Sequence, residues 1–147
     1  MHLEGVGSLA GIAREKATLV AELAPGGQAI IPAALLDWPE FAAQASRCVA
    51  VQFEGEATPA VAPARLVRAS FLTDARGQRS LVLDDEVFPL APISDGLARN
   101  AALALVAALA LGRPSVELAA VTAQWMPPAG RGSVHIEGER TFYVDCY

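Results

Sequence analysis

The segment from Gln28 to Phe53, QAIIPAALLDWPEFAAQASRCVAVQF, decides the fold. Gln28-Ala29-Ile30-Ile31 is a short apolar run, read as a buried strand halted by Pro32. Leu36 to Ser46 reads as a helix, with Pro39 tolerated in its first turn. Cys48-Val49-Ala50-Val51-Gln52-Phe53 is the next strand. Strand, helix, strand in this order predicts an α/β fold, a mainly parallel sheet with flanking helices.

Upstream, Ser8 is a good N-cap for a first helix that Pro25-Gly26-Gly27 ends. Its apolar residues are Leu9, Ile12, Ala13, Leu19, Val20 and Leu23. At about 100° per residue they share one stripe, and Lys16 lies near its centre. Lys16 is the only lysine in the chain. An inward lysine is snorkelling, paired or chemically used. A desolvated amine can take up carbon dioxide as a carbamate, and a carbamate can hold Mg²⁺ through oxygen.

Downstream, Gly55 to Pro63 is a loop rich in Ala and Pro. The period then changes. Arg65 to Thr73 and Arg79 to Leu83 predict antiparallel strands around a turn at Asp74-Ala75-Arg76-Gly77, with a third short strand at Val87 to Leu90. This antiparallel portion forms an insertion near residues 64–90. Ser94 caps a long helix to about Leu111, closed by Gly112 and Pro114. That helix is apolar almost all round, which predicts burial. Ser115 caps another helix to about Gln124. A Pro/Gly loop follows, then strands at Val134 to Glu137 and Thr141 to Asp145 around Gly138-Glu139. The sequence stops at Tyr147, just after a strand, which reads as a cut inside a larger domain.

Hydrophobic residues make up 53% of the 147, so burial does not limit folding. The net charge is −5 and the ten arginines are scattered, which argues against a nucleic-acid surface. The longest apolar run, Ala101 to Leu111, is too short to span a bilayer, and the N-terminus has no basic signal region, so no membrane partner is expected. Two cysteines without metal-ligand spacing fit a reducing, cytoplasmic context. There is no Gly-x-x-x-x-Gly-Lys-Ser/Thr phosphate loop.

Four further positions carry candidate chemistry. His2 is a metal-ligand candidate, against the ordinary reading of a surface residue. Arg131, between Gly130 and Gly132, can reach a phosphate, against the reading of a solvated turn. Asp145 closes the last strand, where α/β enzymes place ligand contacts, or simply caps it. Asn100, one turn inside an apolar helix, needs a partner for its amide. His135 alternates with Val134 and Ile136 and reads as a hydrogen-bonded structural histidine. No Ser/His/Asp or Cys/His nucleophile system can be assembled.

Taken together, these pieces resemble the central, ATP-binding domain of the Mur ligases. His2-Leu3-Glu4-Gly5-Val6-Gly7 is similar to the family's His-Leu-Glu segment. Glu15-Lys16 falls where the family carries its carbamylated lysine. Arg99-Asn100-Ala101-Ala102-Leu103-Ala104 resembles its Asn-Ala-Leu-Ala-Ala helix start. Pro128-Ala129-Gly130-Arg131-Gly132 resembles its Pro-Gly-Arg loop with one residue inserted, and Val144-Asp145-Cys146-Tyr147 its Asp-Ser-Tyr passage to the C-terminal domain. The segments stand in family order from end to end, and the best fit is to members that add D-alanyl-D-alanine.

The resemblance implies that residues 1–147 are the back half of that domain, in a ligase of peptidoglycan precursor synthesis. Such a ligase uses ATP to make an acyl phosphate on a UDP-muramoyl peptide, which the amine of D-alanyl-D-alanine or an amino acid then attacks. It implies Mg²⁺ held by His2, with Lys16 as carbamate at the same site, half-buried or buried beside it. It also implies Asn100 facing adenine, and Arg131 and Asp145 on ATP phosphate or ribose. The remaining ligase domains become partners, and the chain alone is expected to be inactive. Two departures stand out. Pro32-Ala33-Ala34-Leu35 replaces the usual Asn-Ala-Asp-Asp, and Ser94-Asp95-Gly96-Leu97 replaces Gly-Arg-His-Asn. Both remove polar groups and favour the alternative of a non-catalytic binding or scaffold relative.

Overall fold

The computed structural model describes residues 8–128, 131–138 and 140–145, the side chains of Ser133, Tyr143 and Asp145 excepted. The chain divides into two compact units at Arg68/Ala69.

The first unit begins with α1, Leu9–Ala21. Ser8 caps it as expected, its Oγ accepting from the Gly11 N–H at 3.0 Å. At the other end Arg47 donates to the carbonyls of Ala21, Leu23 and Ala24, groups left open where the helix stops. Strand β1, Ala29–Pro32, pairs in parallel with β2, Cys48–Phe53, in the register Ala29↔Cys48 to Pro32↔Val51. Every residue of β2 is buried. The core here joins Ala13, Ala17 and Val20 of α1 with Ile31, Leu36, Phe41, Cys48 and Ala50.

Two expectations are corrected in this unit. The helix over Leu36 to Ser46 is broken into a 3-10 turn at Ala33–Asp37, a single α-helical turn, α2, at Pro39–Ala42, and a second 3-10 turn at Ala45–Arg47. Trp38 precedes a proline and is held extended (φ −88°, ψ 128°), so helical backbone cannot run through it. Lys16 is exposed rather than buried. The buried stripe of α1 is Ala13, Ala17 and Val20, rotated by roughly 60° from the centre of the hydrophobic stripe. Small alanines allow close approach to the core and take the inward positions. Leu9 and Leu19 stay outside at 60% and 68% exposure, on the side of the helix that carries Lys16.

Strand β3, Arg65–Thr73, starts in the first unit next to β2 and continues into the second. There it pairs antiparallel with β4, Arg79–Leu83, which pairs antiparallel with β5, Glu86–Pro89. The first connection is the expected turn. Asp74 Oδ1 accepts the N–H groups of Arg76 and Gln78, both at 2.8 Å, and Gly77 is left-handed at φ +81°. Leu81 and Phe88, Cα partners across β4 and β5, are fully buried. The α/β mixture, the parallel pairing, the antiparallel portion and the flanking helices are as expected.

Helix α3, Asp95–Ala110, is capped by Ser94, and α4 spans Ser115–Gln124. Strands β6, Arg131–Glu137, and β7, Arg140–Asp145, form an antiparallel pair. Two further expectations change. Pro114, not Ser115, holds the N-cap position of α4, and no side chain caps that end. Pro114 enters with φ −62°, the value its ring enforces, so the helix starts one residue earlier than the serine signal implied. Helix α3 is buried only along Ala98, Ala102, Leu105 and Val106, because one side of it opens onto a groove beside α4.

Candidate functional site

Asn100 lies on the N-terminal half of α3, and the start of β6, which carries Arg131, meets the first turn of that helix at Gly132. That turn is anchored from two directions. The Arg79 guanidinium, at the start of β4, lies 2.6 Å from Asp95 Oδ1 and 4.0 Å from the centroid of the Phe71 ring. Ser94 Oγ accepts from the Leu97 N–H at 3.4 Å, while the Ser94 N–H donates to the Gly132 carbonyl at 3.2 Å. Gly132 thus brings the start of β6 against the start of α3.

Arg131 precedes Gly132 and is exposed. Its Cα partner across the hairpin is Asp145, so two positions fourteen residues apart in sequence stand opposite one another. Their pairing follows from the ladder between β6 and β7. The Asp145 side chain lies outside the described residues.

Asn100 follows Leu97 by three residues, one turn along the same face of α3. Its side chain is exposed, and its amide makes no hydrogen bond among the described residues. The partner that a core amide needs is therefore absent among the described residues. It stands on the wall of a groove of about 540 Å³ between α3 and α4, with Leu97, Ala101, Ala104, Val121 and Trp125 among the lining residues. An apolar trough with one amide on its wall can seat a flat ring and read one polar edge of it.

Lys16 belongs to the other unit. It is exposed on α1 and has no ion pair among the described residues. Burial, the condition that carbamate chemistry was expected to use, is missing. His2 lies outside the described residues, so the expected contact between them is not on view. No trio of His, Cys, Asp or Glu suited to a metal occurs among the described residues. The chain's described side chains do not make up a Mg²⁺ site by themselves. His135 is exposed on β6 and its side chain makes no hydrogen bond among the described residues, unlike the structural role expected of it.

Cys48 is buried, and its thiol donates to the Gln44 carbonyl at 3.3 Å. Burial pushes the thiol pKa above its ordinary 9.0, against the opposing charge of Arg47. It is a core residue, not a nucleophile. Sequence reading missed the Arg79 clamp and the role of Gly132. The signal for the second was present in Gly130-Arg131-Gly132, whose last glycine was treated as part of a turn.

No family model and no curated protein matches the sequence. Solved structures do match. MurF from Acinetobacter baumannii is similar with a TM-score of 0.65 and 22% identity, over 99% of this chain and 31% of that one. UDP-N-acetylmuramoylalanyl-D-glutamyl-2,6-diaminopimelate--D-alanyl-D-alanyl ligase from Acinetobacter baumannii is similar with a TM-score of 0.60 and 20% identity, over 97% of this chain and 32% of that one. The likeness is one of fold, and the chain spans about a third of the length of the proteins it matches. No described helix is long and apolar enough to cross a membrane.

Proposed function

We propose that the chain is the back half of the ATP-binding domain of a Mur-type ligase, which joins a carboxylate to an amine through an acyl phosphate. The observation that supports this reading is a fold similar to MurF in which Gly132, next to Arg131, meets the first turn of the helix that carries Asn100. In this reading Asn100 contacts the adenine edge beside the apolar groove. Arg131 supplies a cationic fork to a phosphate, and Asp145 accepts from the ribose. The acceptor is a UDP-muramoyl peptide and the amine is D-alanyl-D-alanine or an amino acid, in a cytoplasmic enzyme of peptidoglycan synthesis.

Mg²⁺, when bound, offsets charge on the transferring phosphoryl group. It usually keeps waters and phosphate oxygens and needs only one or two protein groups. His2 and a carbamylated Lys16 are the proposed protein groups. The rest of the ligase has to supply the phosphate loop and cover Lys16, so the chain alone does not turn over ATP.

The exposed Lys16 is the observation that favours a second reading, a non-catalytic relative that kept the fold. Calorimetric titration of Mg-ATP into the longer protein that carries this chain separates the two. Micromolar binding that weakens at least tenfold on Asn100→Ala and on Arg131→Ala supports the ligase reading. Absence of binding removes it.

A further inference from the structure

We infer that Gly132 is a positioning residue, the joint through which the first turn of α3 fixes Arg131 relative to Asn100. The inference rests on the functional reading above for the ligand, and on the coordinates for the joint itself. Gly132 is left-handed, at φ +68°, and buried. A Cβ built on it would lie 2.5 Å from Leu97 Cδ1, 2.9 Å from Leu97 Cγ and 2.8 Å from Ser94 Oγ, so a side chain there has to displace Leu97 and Ser94. Gly77, Gly112 and Gly138 in the same unit are also left-handed, yet a Cβ at each would meet nothing within 4 Å. Those three serve turns. At Gly132 the missing side chain also leaves room for the side chains of Ser94 and Leu97.

Neither side of the joint is loose. The Gly132 carbonyl takes the Ser94 N–H, which as the cap residue has no partner within the helix. Ser94 Oγ holds Leu97, and Asp95 is held to β4 by Arg79. Leu97 is thus caught between the glycine and the groove, one turn from Asn100. Arg131 is the residue next to Gly132. A displacement of Gly132 moves the cationic fork away from the amide that reads the base, while leaving both side chains intact.

The test compares Gly132→Ala with Gly138→Ala in the 147-residue chain. Both place a Cβ at a left-handed site, but only the first meets neighbours. Amide hydrogen exchange at Ser94 should quicken about tenfold or more in Gly132→Ala, with shifted resonances at Leu97 and Asn100. Gly138→Ala should leave all three alone. Adding Leu97→Ala opens the space the new methyl needs and should restore part of the Ser94 protection; this pair also serves if Gly132→Ala alone folds poorly. In the longer protein, Gly132→Ala should raise KM for Mg-ATP by roughly ten- to a hundredfold, the scale of an ångström-sized misplacement, with KM for the amine unchanged.

Unaltered Ser94 exchange, an equal effect from Gly138→Ala, or no recovery on opening Leu97 overturns the joint. Lost protection with an unchanged KM for Mg-ATP overturns the positioning role and leaves the ligase reading standing. A wild-type protein that binds no Mg-ATP strikes the ligase reading, and with it the positioning role, while the Ser94 exchange still decides the joint.

Discussion

Arg47 donates to the carbonyl of Ala21 at 3.0 Å, across 26 residues of sequence, and so closes the end of α1 from outside the helix. The same guanidinium reaches Leu23 and Ala24. A cation at this end also opposes the negative pole of the helix. Arg47→Ala is expected to cost about 1.5–3 kcal/mol, the range for hydrogen bonds to a charged group. Arg47→Lys should recover only part of it, because an ammonium cannot span several carbonyls in one plane. Urea midpoints of the three proteins check this.

Cys48 links stability to pH. Its folded-state pKa is raised, so the unfolded thiol ionises first as pH increases. The contribution is fully present below the unfolded value, near 9, and is lost as pH rises through the folded value. Urea unfolding between pH 7 and 10 should therefore show a steeper alkaline loss for the wild type than for Cys48→Ala. Equal slopes would contradict it.

Gln52 is the one buried polar side chain among the described residues, at 3% exposure. Its Nε2 donates to the Glu56 carbonyl at 2.9 Å, and its Oε1 accepts from Arg68 at 2.6 Å. Gln52→Leu keeps the bulk but removes these bonds and a longer one from Nε2 to Thr58 Oγ1. It should destabilise by about 1–3 kcal/mol, the cost of stranding buried groups, and quicken exchange in the loop after Phe53. Thermal unfolding together with amide exchange measures both effects.

Arg79 combines a partly exposed ion pair with a stacked ring. Asp95 is 78% exposed and Arg79 27% at the side chain, so the pair itself is worth about 0–1 kcal/mol. The contact with Phe71 adds about 0.5–1 kcal/mol. Asp95→Asn should therefore cost less than Arg79→Ala, and only the smaller loss should fade in 0.5 M salt, a concentration of order five times that giving a ~10 Å screening length.

Lys16 separates stability from chemistry. As an exposed side chain, its replacement by alanine should stay within about ±0.5 kcal/mol in folding stability. In the ligase proposed above, the same change should abolish ligation if Lys16 carries the carbamate, with recovery on adding a short carboxylic acid. Full activity of Lys16→Ala would remove Lys16 from the mechanism.

Much of the backbone was legible. The bounds of β2, β3 and β4 follow the sequence reading residue for residue, because apolar runs there end at loops with strong turn chemistry. Ser8 and Ser94 marked two helix starts for the same local reason. Facing was less legible than location. On α1, leucines lose the inward positions to Ala13 and Ala17, since how closely a helix can approach its neighbours depends on the partner surface and not on the helix's own residues. The break at Trp38-Pro39 was visible as a proline, but tolerance in a first turn was weighed above the restriction on the residue before it. At the candidate site, Asn100, Arg131 and Asp145 stand out from their local sequence setting, a polar amide in an apolar helix, an arginine between glycines and an acid at a strand end. The contact that joins Gly132 to α3 depends on a fold-level approach that no spacing encodes.

The alanines that let α1 sit close also give it a shallow grip. Each removes little more than a methyl group from water, so three inward side chains, one of them valine, hold thirteen residues of helix. Under mild denaturant α1 should be the first element of its unit to peel away, with its amides exchanging by a local opening while β2 remains protected. The anchor at Arg47 then sets how much of the helix is attached at any moment, and with it how steadily Lys16 is presented.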